Sequence, residues 1–162
     1  MIVRPFIYSD GIPTMRDSDI KLLFQKMVRD KTDSMVFYDG SIKTDEQFLR
    51  FVKSPEILLY AVYENEDPIA CGWLNNFEHN TAYAHFCIFS EAWDRSVEVG
   101  KLLIETAMKS TGIDMAIGKI PKFNGMALEF VQKCGAKILG ELPYGCVVSG
   151  KSHPATIVYY TR

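Results

Sequence analysis

The residue of this 162-residue chain best suited to acid–base chemistry is His85. It lies in the segment AYAHFCIF, residues 82–89, whose alternation predicts a β-strand with Tyr83, His85 and Cys87 on one face. An unperturbed imidazole has a pKa of about 6.5, so His85 is a candidate base for an attacking amine at neutral pH. The alternative is a histidine packed and hydrogen-bonded within the sheet, which is the commoner role of a lone histidine.

Nucleophilic and metal chemistry are less well supported by the cysteines. Cys87 has no base beside it in sequence, and a buried, inert thiol is the usual state of such a residue. The chain has 4 cysteines and no Cys-x-x-Cys pair, so neither a zinc site nor a redox motif is indicated. Free thiols in a reducing cytoplasm are the simplest interpretation, and we expect no metal.

A second candidate region lies near the end of the chain. Gly145–Ser152 satisfies the Gly-x-x-x-x-Gly-Lys-Ser spacing of a phosphate-binding loop. Such a loop must open a helix, whereas Pro154 and a strand pattern follow here, so nucleotide binding is kept only as a minor alternative. We expect residues 143–154 to form a long connection that could bring Tyr144 and His153 to an acceptor pocket.

The elements that must position these residues follow from hydrophobic periodicity and from cap and turn signals. The predicted order is β-α-α-β-β-β-α-β-α-β-β, a mixed α/β domain with a largely antiparallel front and a β-α-β rear. Thr44 and Gln47 form a capping-box pattern at the second helix, and Gly112 marks the end of the third. The predicted strands cover residues 1–8, 57–64, 69–77, 82–89, 114–120, 136–142 and 155–161, and the helices begin near residues 17, 44, 95 and 124.

Composition limits the class of protein. Hydrophobic residues make up 48% and charged residues 23%, the balance of one folded domain over residues 1–162. The formal charge of −2 supplies no basic stripe, so we expect no nucleic-acid partner. We expect no membrane partner either, because no apolar run reaches the ~18 residues of a transmembrane helix. The first residues lack a signal-peptide layout, which favours a cytoplasmic protein, and exposed edge strands are compatible with a monomer or a homodimer.

The segment from Asn124 to Gly135 resembles the second signature of the GNAT superfamily of acetyl-coenzyme-A-dependent N-acetyltransferases. That signature places an alanine three, a lysine nine and a glycine eleven residues after an asparagine, and Asn124, Ala127, Lys133 and Gly135 match it in register. The predicted element order also matches the GNAT order, so the resemblance covers nearly the whole chain.

The resemblance implies a GNAT-like mixed, largely antiparallel twisted sheet flanked by helices. It implies acetyl-CoA as co-substrate in a V-shaped opening between the fourth and fifth predicted strands, and direct acetyl transfer to a primary amine of a small-molecule or protein acceptor. The pyrophosphate loop, Gln/Arg-x-x-Gly-x-Gly/Ala, is matched only by Arg95–Gly100, where backbone N–H groups at a helix N-terminus would bind phosphate. The implied cofactor-binding residues are Ile88, Arg95, Ser96, Val97, Glu98, Val99, Gly100, Lys101, Asn124, Ala127 and Phe130.

Two positions depart from the family pattern. Glu98 replaces the first glycine of the loop, and Val131 stands where many members have a tyrosine that protonates the departing thiolate. A valine cannot transfer a proton, so Tyr144 or a water molecule would have to serve as the acid beside His85 as the base. The alternative is a catalytically impaired GNAT-like binding or structural module, and sequences of this general character in phage and prophage genomes leave a phage-related role open.

Overall fold

The computed structural model describes all residues from 1 to 162. A short 3₁₀ helix, Ser90–Arg95, precedes α4. The other elements are β1 Ile2–Pro5, β2 Tyr8–Ser9, β3 Ile12–Pro13, α1 Asp17–Arg29, α2 Asp33–Val36, α3 Asp45–Val52, β4 Leu58–Glu64, β5 Asp67–Glu78, β6 Thr81–Ile88, α4 Ser96–Thr111, β7 Met115–Pro121, α5 Gly125–Lys133, β8 Lys137–Val148 and β9 Lys151–Thr161.

A seven-stranded sheet in the order β1-β4-β5-β6-β7-β9-β8 forms the centre of the molecule, and β2 and β3 make a separate hairpin. Every neighbouring pair in the large sheet is antiparallel except β6 and β7, which run parallel. This parallel contact is short: it pairs only Thr81–Tyr83 with Met115–Ile117. The two strands therefore share a ladder at one end only.

Helices α1, α2 and α3 cover one face of the sheet. The Thr44 hydroxyl accepts a hydrogen bond from the Gln47 amide at 3.2 Å, which starts α3 as the capping-box pattern predicts. The fully buried residues on this face are mostly large apolar side chains, and burying each contributes about 1.5–3 kcal/mol. They include Ile20, Leu23, Phe24, Met27, Phe48, Val52, Leu59 and Phe89.

Helices α4 and α5 cover the other face. α4 ends at Gly112, whose φ of 74° is the left-handed conformation that glycine adopts without strain. The core beneath these helices includes Val62, Leu74, Val99, Leu103, Ala116 and Val158. None of the helices combines the length and apolar character needed to span a bilayer.

The structure confirms the predicted fold class and element order. It adds the β2–β3 hairpin, the four-residue α2 and the 3₁₀ helix, which are too short to give a periodic signal. The prediction of a long connection over residues 143–154 is wrong, because β8 and β9 extend through it and leave only Ser149 and Gly150 between them. Gly145–Ser152 is therefore a hairpin that opens no helix, and the phosphate-loop alternative has no structural basis.

Candidate active site

A cleft that is open to both faces of the sheet lies where β6 and β7 separate. Beyond Tyr83 and Ile117 the strands no longer pair, and a cleft of about 490 Å³ is open between them. Its walls come from both faces of the sheet, with Thr32 and Val36 on the α1–α2 side and Phe130 and Val131 on the α5 side. The cleft thus connects the two faces of the sheet.

The N-terminus of α4 borders this cleft, and both Ser96 and Val97 line it. No side chain caps this end of the helix. The Ser96 amide already donates to the Trp93 carbonyl oxygen of the preceding 3₁₀ helix, so this end of α4 acts on an anion through the helix dipole and the remaining amides of its first turn. Neither of these depends on a glycine, so Glu98 in place of the first glycine of the family loop does not remove them.

A charged network holds the segment that leads into α4. The Asp30 carboxylate accepts the Ser90 amide at 2.7 Å, and the Glu91 carboxylate accepts Lys26 Nζ and Arg29 Nη1 at 2.7 Å each. The Lys26 side chain is only 7% exposed. Hydrogen bonds from Arg29, and then from Lys26, hold the pKa of Glu91 well below its usual range. The end of α1 is thereby fastened to the loop before α4.

Several residues of the predicted pyrophosphate loop do not line the cleft. Arg95 forms a two-pronged ion pair with Glu64 of β4, with Nη1 at 2.8 Å from Oε1, and so its guanidinium is already engaged. Glu98 and Lys101 are exposed, and Val99 is fully buried in the core. In this structure only Ser96 and Val97 of the stretch from 95 to 101 face the cleft.

Gly100 serves the packing of α4 against α5. A Cβ at this position would lie 2.7 Å from Phe130 Cζ and 2.8 Å from Cys134 Sγ, which is closer than real Cβ contacts. Its lack of a side chain lets α5 approach, and Phe130 then reaches the cleft wall. The glycine that matched the pyrophosphate motif has a helix-packing role here.

The Asn124 side chain caps α5. Its Oδ1 accepts the Ala127 amide at 3.1 Å, so the asparagine and alanine of the family signature are hydrogen-bonded partners at a helix start. Asn124, Ala127, Phe130 and Ile88 all line the cleft. The structure therefore brings together six of the eleven residues predicted to bind the cofactor: Ile88, Ser96, Val97, Asn124, Ala127 and Phe130.

His85 lines the cleft from β6. Its ring stacks on Trp73 with a centroid distance of 5.1 Å, and its Nε2 lies 3.2 Å from Asn75 Oδ1. Because an amide oxygen only accepts, Nε2 carries the proton and Nδ1 carries the lone pair. Burial, with a smaller contribution from the positive charge of Lys119, lowers the pKa of His85 to about 4. The imidazole is therefore neutral at physiological pH.

The structure does not bring Tyr144 to the cleft. Tyr144 is on the edge strand β8 and is 84% exposed. The tyrosine near position 131 is Tyr160 of β9, whose hydroxyl donates to the Val131 carbonyl oxygen at 3.2 Å. Burial raises the pKa of this phenol, so it is a poor proton donor. Sequence reasoning missed Tyr160, although its β9 alternation placed it on the core face.

Two other chemical alternatives find no support in the site. Cys87 lines the cleft, but burial raises the pKa of its thiol to about 12, which leaves almost no nucleophilic thiolate at neutral pH. No group of three or more histidine, cysteine, aspartate or glutamate side chains is arranged to hold a metal ion.

The wall on the α1–α2 side was not foreseen. Thr32, Met35, Val36 and Tyr38 line the cleft there, opposite Lys119 of β7. Thr32, Met35, Val36 and Tyr38 lie in or beside the four-residue α2. Their spacing does not link them to the cleft residues of β6, which lie more than 45 residues later in the chain. This wall is apolar apart from two hydroxyl groups and the lysine.

Several solved structures similar to this chain are acetyltransferases. They include the spermidine N-acetyltransferase SpeG of Vibrio cholerae, with 11% identity over 99% of this chain and 95% of that one at a TM-score of 0.73. The ribosomal L7/L12 α-N-protein acetyltransferase RimL, solved with coenzyme A, has 10% identity over 91% and 90% at 0.72. The microcin C7 self-immunity acetyltransferase MccE, solved with acetyl-CoA and AMP, has 15% identity over 90% and 87% at 0.69.

No protein-family model matches the chain, and neither does any curated protein sequence. The structural likeness extends over nine-tenths or more of the chain in these three cases. At identities this low it establishes the GNAT fold and leaves the activity to be argued from the site.

Proposed function

We propose that the protein is an acetyl-CoA-dependent N-acetyltransferase that passes an acetyl group directly to a primary amine. The observation that carries this proposal is the cleft between β6 and β7, which passes from the uncapped N-terminus of α4 to the neutral imidazole of His85. A channel of this kind fits a long substrate that is anionic at one end and reactive at the other.

The residues present fit coenzyme A. The N-terminus of α4, through its dipole and the first-turn amides other than that of Ser96, would bind the pyrophosphate, and Ser96 and Val97 line the cleft there. The backbone of β6 near Ile88 and the side chains of Asn124, Ala127 and Phe130 would border the pantetheine arm. Acetyl-CoA, the second substrate, supplies the acetyl group as a thioester.

His85 is proposed as the base. The acceptor nitrogen bonds to the acetyl carbon as the carbon–sulfur bond breaks, and the proton lost from nitrogen balances the proton gained by sulfur. A base with a pKa of about 4 can take a proton only from a strongly acidic group. The amine nitrogen becomes such a group once it has bonded to the acetyl carbon and carries a positive charge. With Val131 and Tyr160 unsuited to proton donation, water is the proposed acid.

The structural relatives support an amine acceptor. By their names, SpeG acts on spermidine and RimL on the α-amine of ribosomal L7/L12. A single-domain organisation, a cytoplasmic location and a link to phage genomes remain predictions from the sequence.

The first experiment measures thermal unfolding with and without about 1 mM acetyl-CoA, with ATP and magnesium as control. For a dissociation constant near 10 μM, binding adds about 2.7 kcal/mol of stability, which shifts the melting temperature by several degrees. No shift with acetyl-CoA would contradict the proposed function, and a shift only with ATP and magnesium would support a nucleotide-binding protein.

The second experiment measures thiol release from acetyl-CoA in the presence of an amine panel. We expect His85→Gln to lower kcat about 100-fold, because general-base catalysis contributes at least this much in typical enzymes. Tyr144→Phe serves as the matched control and should leave the rate unchanged, since Tyr144 lies outside the cleft. An unaltered rate in His85→Gln would remove His85 from the mechanism.

A second candidate function is a GNAT-fold binding module without catalysis. It is favoured by Val131, which leaves no side-chain acid where many family members have tyrosine, and by Glu98 in the loop. A thermal shift with acetyl-CoA and no thiol release with any amine would favour this candidate over the enzyme.

A further inference from the structure

His85 and Lys119 face each other across the opening between the strands. The last paired residues of β6 and β7 are Tyr83 and Ile117, and one step of two residues further along each strand brings His85 and Lys119 onto the same face. Both residues line the cleft. Lys119 is also close enough for its charge to contribute to the lowered pKa of His85.

Lys119 supplies the only uncompensated charge of the cleft wall. It is exposed and has neither an ion pair nor a side-chain hydrogen bond. The other charged lining residues, Glu129 and Lys133, neutralise one another at 2.6 Å. The remaining titratable lining groups are neutral at physiological pH: His85, Cys87, Tyr38 and Tyr160.

The carboxylates nearest to the α2 side do not change this balance. Asp33 raises the pKa of Cys87 through its charge, and Asp39 contributes in the same way to the raised pKa of Tyr38, but neither carboxylate lines the cleft. Asp30 is bound to Arg29 and Ser90, and Asp39 accepts a hydrogen bond from Ser41. A polycation such as spermidine would therefore meet a positive wall at the acceptor end. Like charges that meet across a binding cleft discriminate against the wrong partner.

We propose that the acceptor is an amino acid with an apolar side chain, whose amine meets His85 and whose carboxylate pairs with Lys119. The single positive charge of Lys119 matches the single negative charge of an α-carboxylate. The apolar side chain fits the wall formed by Met35, Val36 and Tyr38. The inference rests on the proposed acetyl transfer and specifies its substrate class.

The test compares L-leucine with L-leucinamide, which differ in the carboxylate. We expect Lys119→Gln to lower the ratio of their kcat/KM values about tenfold, as loss of one charge-assisted hydrogen bond does. Taking the change in this ratio cancels the different basicities of the two amines. Lys119→Arg should retain the preference, and Lys137→Gln on the exposed edge strand β8 is the matched control.

A binding measurement needs no acetyl-CoA. We expect N-acetyl-L-leucine to stabilise the wild-type protein against thermal unfolding more than N-acetyl-L-leucinamide does, and this difference should vanish in Lys119→Gln. With spermidine as acceptor, the wild type should be poor and Lys119→Glu should be several-fold better, because the substitution reverses the charge of the wall.

The outcomes separate this inference from the function on which it rests. Acetyl transfer that favours leucinamide or spermidine, with a ratio unchanged by Lys119→Gln, would overturn the substrate class and leave the transferase intact. No thermal shift with acetyl-CoA would overturn the transferase itself. A carboxylate preference that persists in Lys119→Gln would show that another group binds the anion, and would also overturn the proposal.

Discussion

The two sides of the cleft differ in what their walls are made of. On the α4–α5 side the relevant groups are two helix starts: that of α4, where Ser96 and Val97 line the cleft, and that of α5, which Asn124 caps. On the α1–α2 side they are side chains, with His85 stacked on Trp73 and Lys119 standing free. The binding chemistry of the α4–α5 side depends on where the helices begin. That of the α1–α2 side depends on the identity of individual side chains.

This difference explains which substitutions each wall tolerates. The anion site proposed at the N-terminus of α4 would survive the replacement of a loop glycine by Glu98, because the exposed carboxylate leaves the backbone in place. A side-chain site changes its chemistry with a single residue. We therefore expect cofactor binding to be sensitive to helix packing, and acceptor choice to be sensitive to single charges.

The largest expected effect concerns the side-chain wall and its dependence on pH. The pKa of His85 is about 4 in the folded protein and about 6.5 when unfolded, so the unfolded chain binds more protons between these values. Stability should then fall as the pH drops from 7 to 4.5, and this histidine should account for about 2–3 kcal/mol of the loss. Urea unfolding at both pH values should show a smaller loss in His85→Gln.

The control for this experiment is His79→Asn, which changes an exposed histidine in the turn between β5 and β6. It should lose as much stability as the wild type on acidification. Equal losses in wild type and His85→Gln would mean that the imidazole is readily protonated in the folded state, and the acceptor wall would then carry a second positive charge.

The next effect concerns the packed wall. Gly100→Ala places a methyl group against Phe130 and Cys134, and overpacking of this kind costs about 1–3 kcal/mol. We expect a destabilisation of about 2 kcal/mol by chemical denaturation and weaker binding of acetyl-CoA, because α5 must move away from α4.

Gly125→Ala is the matched control, since a Cβ at Gly125 meets nothing within 4 Å and alanine favours a helix. It should be neutral or slightly stabilising. If Gly100→Ala proved equally harmless, α4 and α5 would be able to shift apart without cost. The α4–α5 side of the cleft would then be no more rigid than the α1–α2 side.

The smallest effect concerns Tyr160, which lies under the cleft and is bonded to the Val131 carbonyl. Tyr160→Phe removes one hydrogen bond and should cost about 1 kcal/mol of unfolding free energy. Because the phenol is a poor proton donor, acetyl transfer should stay within about twofold of wild type. A rate loss of tenfold or more in steady-state kinetics would make Tyr160 the missing acid and would contradict the proposal that water serves.

Local signals predicted much of the fold. The capping pair Thr44 and Gln47, the cap at Gly112 and the signature beginning at Asn124 each act within a few residues, and the structure has the predicted helix boundary at each. The position of His85 at the opening followed from strand alternation combined with the family resemblance. These features depend on neighbours in the chain.

The failures have long-range causes. Arg95 matched a motif, but its partner is Glu64 on a strand 31 residues earlier. Residues 143–154 were predicted to be a connection, yet Pro154 lies in β9 opposite the irregular stretch of β8 between Leu142 and Cys146, where a missing N–H does not break the ladder. No periodicity or motif reveals such pairings.

The ionic contacts between the end of α1 and the 3₁₀ helix before α4 have a consequence for how the two proposed substrates affect each other's affinity. Through Asp30 and Glu91, the helix that leads into the acceptor wall is bonded to the segment that presents the α4 amides. We therefore expect any displacement of α1 by the proposed acceptor to reach the N-terminus of α4, where the phosphates are proposed to bind. If the acceptor changes the affinity for acetyl-CoA by some factor, thermodynamic reciprocity requires that acetyl-CoA changes the affinity for the acceptor by the same factor.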